Sequence, residues 1–391
     1  MQNRSDSIYG VVVIGGYVQG LANTRILGRE GIPIIVIDTE NCIARYSKYC
    51  NKYFQCPDYT SKEFVDFLIK INTSEGLKNW LLLPSNDHMV YNISRNKGLL
   101  SKYYRIITED FDVLRKIYNK RELLSIAQSI DVSIPRTFFP NRDHPKSLNL
   151  RYPAIIKGNN GLNFFKKYKT KAIIIYRDEE LIQAIEIMLK GIEPKEYFIQ
   201  EVVPWDNKTI SVALFAEKGI LHSYWMGIKL RERPLRFGTA TCCRSLYEEE
   251  LLDPVERIIK ELNYSGVCEV EFIKDSRDNK YKLIEINPRT WMWVGLAEKS
   301  GVNFPLAIYR YIDETYLPNQ VHYRINLYWI NLYTDMLYAI NGILKGYFSF
   351  AEVIKSYQRF IEASWDLYNP IPFFMHGAML ISRMFHRLLP K

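Results

Sequence analysis

Residues 283–289 read LIEINPR, and this stretch decides how the chain is read. It sets Glu285 and Asn287 two apart in an otherwise apolar strand, then stops that strand with Pro288 and Arg289. Residues two apart in a strand share a face. Proline has no N–H for a ladder, so the strand ends there and presents the arginine beyond it. The partner strand lies just upstream, in GVCEVEFIKDSRDNKYKLIEINPR (266–289). Two apolar-alternating segments flank KDSRDNK, whose centre holds turn residues. A turn centred near Asp278 sets Glu271 opposite Glu285 and Glu269 opposite Asn287. On the other face Phe272 meets Ile284 and Val270 meets Ile286. A one-residue slip would mix the faces, so the hydrophobic pattern selects this register. Directly opposed like charges, about 4.5–5.5 Å apart at Cβ, repel. A cation between Glu271 and Glu285 would offset that cost. Carboxylate and amide oxygens without Cys or His suit a hard ion, and Mg²⁺ binds through one or two carboxylates plus substrate phosphates. Arg289 is a bidentate ligand for a carboxylate or phosphoryl group. A solvated acidic strand face is the competing reading.

The chain has 391 residues, enough for two or three domains. Its formal charge of +9 is spread, with no long basic run. Spread positive charge fits anionic small molecules such as nucleotides, and weak attraction to an acidic membrane surface. No nucleic-acid-binding motif with a spacing signature is present, so no nucleic-acid partner is expected. The six cysteines form no CxxC pair, which argues against thiolate metal sites and a disulfide framework and for reduced thiols in a cytoplasm. The N-terminus lacks an apolar signal core, and no run reaches the roughly 18 apolar residues of a membrane span.

YGVVVIGGYVQGLANTRILGREGIPIIVID (9–38) opens with a short buried strand, a glycine turn and a second strand ending in Asp38. This is a βαβ start of doubly wound type. The spacing is GGxxxG rather than GxGxxG. A glycine turn that packs helix against strand therefore stands beside a nucleotide site, and an NAD(P)-dependent oxidoreductase is the alternative function. From residue 118 the texture is α+β with antiparallel pairs. A helix over 120–130 leads to the strand YPAIIKG and a looser turn, NNGLNFFKKY. Then come the strand YFIQEVVPW and a hairpin turning at 217–219. The last stretch is aromatic and helical in pattern.

EFIKD…KLIEINPR resembles the metal-binding end of the ATP-grasp superfamily. ARYSKYCNKYFQCPD, LLPSNDHMVYNIS and EINPRTWMWVGLAEKSGVNFP are similar to stretches of its carboxylate–amine ligase branch. The resemblance implies an α/β and α+β fold. Residues 1–117 would form a Rossmann-like pre-ATP-grasp domain. Residues 118–318 would form an ATP-grasp domain of two subdomains with ATP in the cleft, and 319–391 a helical C-terminal extension. It implies Glu271, Glu285 and Asn287 as ligands of Mg²⁺, with Mn²⁺ as a substitute. Lys120 and Lys157 would bind the ATP phosphates. Glu201, Val202 and Val203 would hold adenine, and Asp206 the ribose. Arg289, Arg233 and, second to it, Arg231 would contact substrate carboxylate or transferred phosphoryl. The activity implied is an ATP-dependent carboxylate–amine (or carboxylate–thiol) ligase working through an acyl phosphate, on small-molecule carboxylate and amine substrates. Two departures stand out. The phosphate-covering segment GNNGLNFFKKYK holds only Gly158 and Gly161, and TWMW follows Arg289. The first keeps a non-catalytic ATP-binding scaffold as a further alternative. In the C-terminal helices, Arg383, His386, Arg387 and Lys391 beside Phe373, Phe374, Met379 and Leu380 would make a basic amphipathic surface for peripheral membrane contact. Core or subunit packing, including a homodimer, competes with it.

Overall fold

The computed structural model describes residues 9–140, 149–170, 172–188, 190, 193–204, 208–235, 238–316 and 322–388. Strands β1 (Val11–Ile14), β2 (Ile34–Asp38), β3 (Lys52–Gln55), β4 (Leu81–Pro84) and β5 (Arg105–Ile106) form a parallel sheet in the order β3-β2-β1-β4-β5. β1 and β4 are buried along their whole length, which is why they read as continuous apolar runs: helices cover both faces of a parallel sheet. The period of two still sorts β1. Val11 and Val13 enter one core, and Val12 and Ile14 another.

Strands β6 (Thr137–Phe138), β7 (Ala154–Gly158), β8 (Ile173–Ile175) and β9 (Tyr197–Glu201) form an antiparallel sheet in the order β6-β9-β7-β8. The segment after β7, expected as a loose turn, holds a helix, Gly161–Tyr168. It lies so close to the strand that a Cβ on Gly158 would stand 2.4 Å from Phe164 Cβ. Gly158 serves that packing.

The largest sheet has β10 (Thr209–Glu217), β11 (Ile220–Arg233), β12 (Thr239–Leu246), β13 (Gly266–Asp275), β14 (Lys280–Asn287), β15 (Tyr328–Ile330) and β16 (Phe360–Glu362). Their order is β14-β13-β10-β11-β12-β15-β16. β10 and β11 join through Lys218 and Gly219, whose φ of 47° and 77° suit a tight hairpin turn. Val212, Leu214, Val270 and Phe272 face one core, with the helices Lys120–Ser129 and Leu252–Glu261. Ala213, Phe215 and Trp225 face another, shared with β1, the helix Val18–Arg29 and Trp291 and Trp293. That second face supports the polar cluster described below.

The C-terminal segment is helical, with helices Leu332–Leu344, Phe350–Gln358 and Ile371–Leu388. It also extends the large sheet by β15 and β16. The amphipathic surface expected on the last helix is not composed as expected. Met379 and Leu380 turn inward to line a cavity, Phe373 packs on Tyr333, and Arg383 pairs with Glu40 at 3.0 Å. Phe374 alone of the named apolar residues is exposed. The side chains of His386 and Arg387, and all of Lys391, lie outside the described residues.

Candidate active site

The hairpin β13–β14 has Glu269 opposite Asn287, Val270 opposite Ile286 and Glu271 opposite Glu285. The expected register breaks one residue later: Phe272 pairs with Leu283, and Ile284 is the extra residue of a bulge. The bulge lets Leu283 and Ile286 both reach the buried apolar face while Glu285 stays opposite Glu271. The turn ends at Asn279 with φ 57°, a conformation asparagine tolerates.

Asn287 Nδ2 joins the cluster, donating to Glu269 Oε2 at 3.2 Å, Glu271 Oε1 at 3.1 Å and Glu285 Oε1 at 3.4 Å. Two lysines answer the charge. Lys229, on β11, donates to Glu271 Oε1 at 2.7 Å. Burial works against its ammonium, but Glu271, Glu269 and Glu285 outweigh that and raise its pKa. Lys120 Nζ stands 3.5 Å from Glu285 Oε2, an ion pair too long for a tight hydrogen bond. Its backbone N–H donates to Asn159 O at 2.9 Å. The start of the Lys120 helix therefore abuts the end of β7, which carries Lys157.

Glu269 is buried, and among the described residues its Oε1 has no hydrogen-bond partner. Burial first, then the Glu271 charge, pushes its pKa up to about 7. Arg289 is held from the N-terminal sheet side: its Nη2 donates to Asp87 Oδ2 at 2.9 Å. Burial would lower the Arg289 pKa; Asp87 and Glu269 reverse the sign and raise it. Its Nε is buried without a partner among the described residues.

The donor set fits a hard cation. Its atoms are carboxylate and amide oxygens, one buried oxygen is unpaired, and two carboxylates face each other in register. Among the described residues no trio of carboxylate, histidine or cysteine side chains stands in coordinating geometry. Mg²⁺ does not need one, since it binds through one or two carboxylates and takes its other ligands from phosphates and water.

The hinge segment differs from expectation in one residue. Val202 and Val203 are buried. The Glu201 carboxylate, expected near adenine, has other partners: the Arg151 N–H at 2.9 Å, Arg136 Nη1 at 3.3 Å and Arg277 Nη1 at 3.6 Å. Asp206 lies outside the described residues. Arg231 is a clearer correction. It is buried beneath the C-terminal helices, with Nε and Nη2 on Asp335 at 2.9 and 2.6 Å and Nη2 on Ser356 Oγ at 3.0 Å. An arginine so consumed has no fork to offer a substrate. Arg233, two residues on, is exposed. Its charge reaches Tyr17, whose pKa burial raises and Asn331, Arg383 and Arg233 lower.

The glycine turn after β1 is packing. A Cβ on Gly20 would stand 1.9 Å from Gly15 O, and one on Gly16 2.2 Å from Cys42 Sγ. Asp38 accepts from the Gly16 and Thr39 N–H groups at 2.7 Å each and from Tyr59 OH at 2.5 Å. A dinucleotide's ribose would find that carboxylate already used. A cavity of about 240 Å³ nevertheless opens at the carboxyl ends of β1, β2 and β4, lined by Gly15, Tyr17, Ser85, Asn86 and His376. Open α/β sheets bind ligands at that place. Asn86 adjoins Asp87, the partner of Arg289.

Residues 244–309, which span the hairpin and Arg289, match the family described as "Carbamoyl-phosphate synthase L chain, ATP binding domain". The D-aspartate ligase of Enterococcus faecium is 21% identical over 299 residues, 71% of this chain and 71% of that protein. Both matches are to ATP-grasp proteins, the superfamily that the hairpin sequence resembles. The similarity is to that superfamily's carboxylate–amine ligase branch. The carbamoyl phosphate synthase large chain of a Thermoanaerobacter species is 27% identical over 228 residues, and the match spans only 20% of it. N5-carboxyaminoimidazole synthetase from Staphylococcus aureus shares the fold, with a TM-score of 0.65, 15% identity and 86% of each chain covered.

Sequence reasoning missed Lys229 and Asp87. Lys229 was legible in principle. Trp225, Gly227 and Lys229 alternate along β11, and Ala213 and Ser211 of β10 connect that face to Glu269 and Glu271. A lysine on an otherwise apolar strand face needs a counter-charge. Asp87 gave no local signal, because its partner is 202 residues away.

Proposed function

We propose that the ligase condenses a small-molecule carboxylate with an amine to form an amide, at the expense of ATP. The observation that carries this reading is the convergence of Glu271, Glu285 and Asn287 with Lys120 and Lys229 beside the half-buried Arg289. Glu271, Glu285 and Asn287 would hold Mg²⁺, which when bound neutralises charge on the ATP phosphates. Lys120 and Lys157 bind those phosphates; at 3.5 Å the Lys120–Glu285 pair gives up little when the ammonium turns to a phosphate. Val202 and Val203 cover the adenine, and Asp206 accepts from the ribose.

A carboxylate oxygen of the substrate attacks the γ-phosphorus. The new O–P bond forms as the bridging β–γ P–O bond breaks, giving an acyl phosphate and ADP. The amine nitrogen then attacks the acyl carbon, the C–N bond forms, the C–O bond to phosphate breaks, and the amine loses a proton. Arg289 and Arg233 stabilise the anionic groups. Lys229 keeps Glu271 from repelling the incoming nucleotide. No covalent nucleophile from the protein is needed. The amine is drawn from amino-acid-like molecules, as the D-aspartate ligase name suggests for that relative. The domain division belongs to the same reading, with residues 118–318 enclosing ATP and residues 1–117 contributing Asp87.

The test is ADP release from Mg-ATP against a panel of carboxylates paired with amino acids, with Glu285→Gln as control. Release that needs a substrate pair and disappears in the variant is expected. Failure of the protein to bind ATP would overturn the reading, as would release unaffected by the substitution.

A further inference from the structure

The C-terminal helices are amphipathic in the wrong sense. In Leu332–Leu344 the inward positions are Asp335, Ala339 and Gly342, while Met336, Leu337, Ile340 and Leu344 face outward, Leu344 at 81% exposure. In Ile371–Leu388 the inward positions include His376 and Gly377, while Ile371, Phe374 and Ile381 are exposed along one helical stripe. Phe350 and Ile354 are exposed on Phe350–Gln358, and Trp365, Leu367 and Tyr368 on the connecting segment. Scattered exposed apolar residues need no explanation, but a contiguous set does.

The set is contiguous. Tyr333 of the first helix packs on Phe373 of the last at 4.9 Å between ring centroids, and a Cβ on Gly377 would already stand 2.8 Å from the Tyr333 ring. Trp365 meets Phe373 at 5.4 Å and Phe374 at 6.2 Å. The helices Leu332–Leu344 and Phe350–Gln358 both lay their inner faces on the Arg231–Asp335 pair, through Asp335 and Ser356. Their outer faces therefore look away from it.

The exposed charge on this face is mainly positive. Lys345, Lys355 and Arg359 are exposed among the apolar side chains. Of the four carboxylates in residues 332–388, three point elsewhere: Asp335 lies under Arg231, Glu362 accepts the N–H groups of Leu332, Ser364 and Trp365, and Asp366 pairs with Arg29. Glu352 is the fourth. Among the described residues no helix is long and apolar enough to cross a membrane. Helices with an apolar stripe, interfacial aromatics and basic flanks lie in the plane of an anionic bilayer surface. A two-fold contact with a second copy would instead press this mainly positive patch onto an identical one, with Glu352 as its one exposed carboxylate.

We propose that this face seats the ligase on an anionic lipid bilayer, with the C-terminal helices lying in the interface. The experiment is co-sedimentation of the full chain with phosphatidylcholine vesicles and with vesicles partly replaced by phosphatidylglycerol, at low and raised salt. Two double variants accompany it, Leu337→Glu/Phe374→Glu and Lys345→Glu/Lys355→Glu, with ADP release and sedimentation velocity measured on each. Binding to the anionic vesicles that weakens with salt is expected. The first variant should lower the partition about tenfold or more, and the second should remove the preference for the anionic lipid. The proposal is overturned if the chain ignores anionic vesicles, or if wild type and the first variant partition equally. It is also overturned if the wild type is a dimer that Leu337→Glu/Phe374→Glu dissolves without any vesicle binding, which would give the face to a second copy.

Discussion

Removing the Asp335 carboxylate separates a structural arginine from a substrate-binding one. Asp335 accepts from Arg231 at 2.9 and 2.6 Å, from Thr241 Oγ1 at 2.6 Å and from Tyr357 OH at 2.7 Å, and neither Arg231 nor Asp335 is appreciably exposed. Asp335→Ala leaves a buried guanidinium without its counter-charge, which costs about 3–5 kcal/mol. At about 2.1 cal/mol/K per residue the unfolding entropy of 391 residues is about 0.8 kcal/mol/K, so the melting temperature should fall by about 4–6 °C. Arg231→Met/Asp335→Leu removes both charges and should recover most of that loss, since replacing a whole buried pair with apolar side chains is often neutral. The assay is calorimetric unfolding of the wild type and the three variants, with ADP release at a temperature where all are folded. The reasoning fails if Asp335→Ala melts within about 1 °C of wild type. It also fails if Arg231→Met unfolds normally but loses turnover, because Arg231 would then be an anion ligand.

The glycine turn should be intolerant where the helix Gly161–Tyr168 is not. Gly20→Ala drives a Cβ to 1.9 Å from Gly15 O and should cost about 3 kcal/mol in urea unfolding. Gly161→Ala meets nothing within 4 Å and should be neutral or stabilise by about 0.5–1 kcal/mol; the reverse order would refute the packing account. His376 should make stability fall in acid. Burial, with Arg383, lowers its pKa to about 4 from an ordinary value of 6.5. Between those values the unfolded chain binds the proton and the folded chain does not, so its contribution is intact above pH 6.5 and declines as pH drops through the window. The loss reaches about 3 kcal/mol near pH 4. His376→Gln should flatten that part of the stability–pH curve, and an unchanged slope would refute it.

The strand pairs of this protein are legible because their information is local. β13 and β14 alternate apolar and polar residues on either side of a turn-forming sequence, and that is enough to set Glu271 opposite Glu285. The bulge at Ile284 escaped because it depends on how Leu283 and Ile286 fit a core built by distant helices. The helix Gly161–Tyr168 escaped for a related reason: two glycines and two asparagines look like a turn until Phe164 is seen packed on Gly158.

By itself, the sequence determined the βαβ start, the antiparallel middle and the carboxylate hairpin, since each depends on period and spacing within a short window. The tertiary structure decided which arginine is exposed. Arg231 and Arg233 are two residues apart in one basic stretch, and only the position of Asp335, more than a hundred residues later, consumes the first. It decided that Lys229 meets Glu271, which takes three strands in register. It also decided which side of the C-terminal helices is covered. An apolar stripe marks a face that avoids water, but only the packing of Asp335, Gly342 and Gly377 inward reveals that the stripe was left outside.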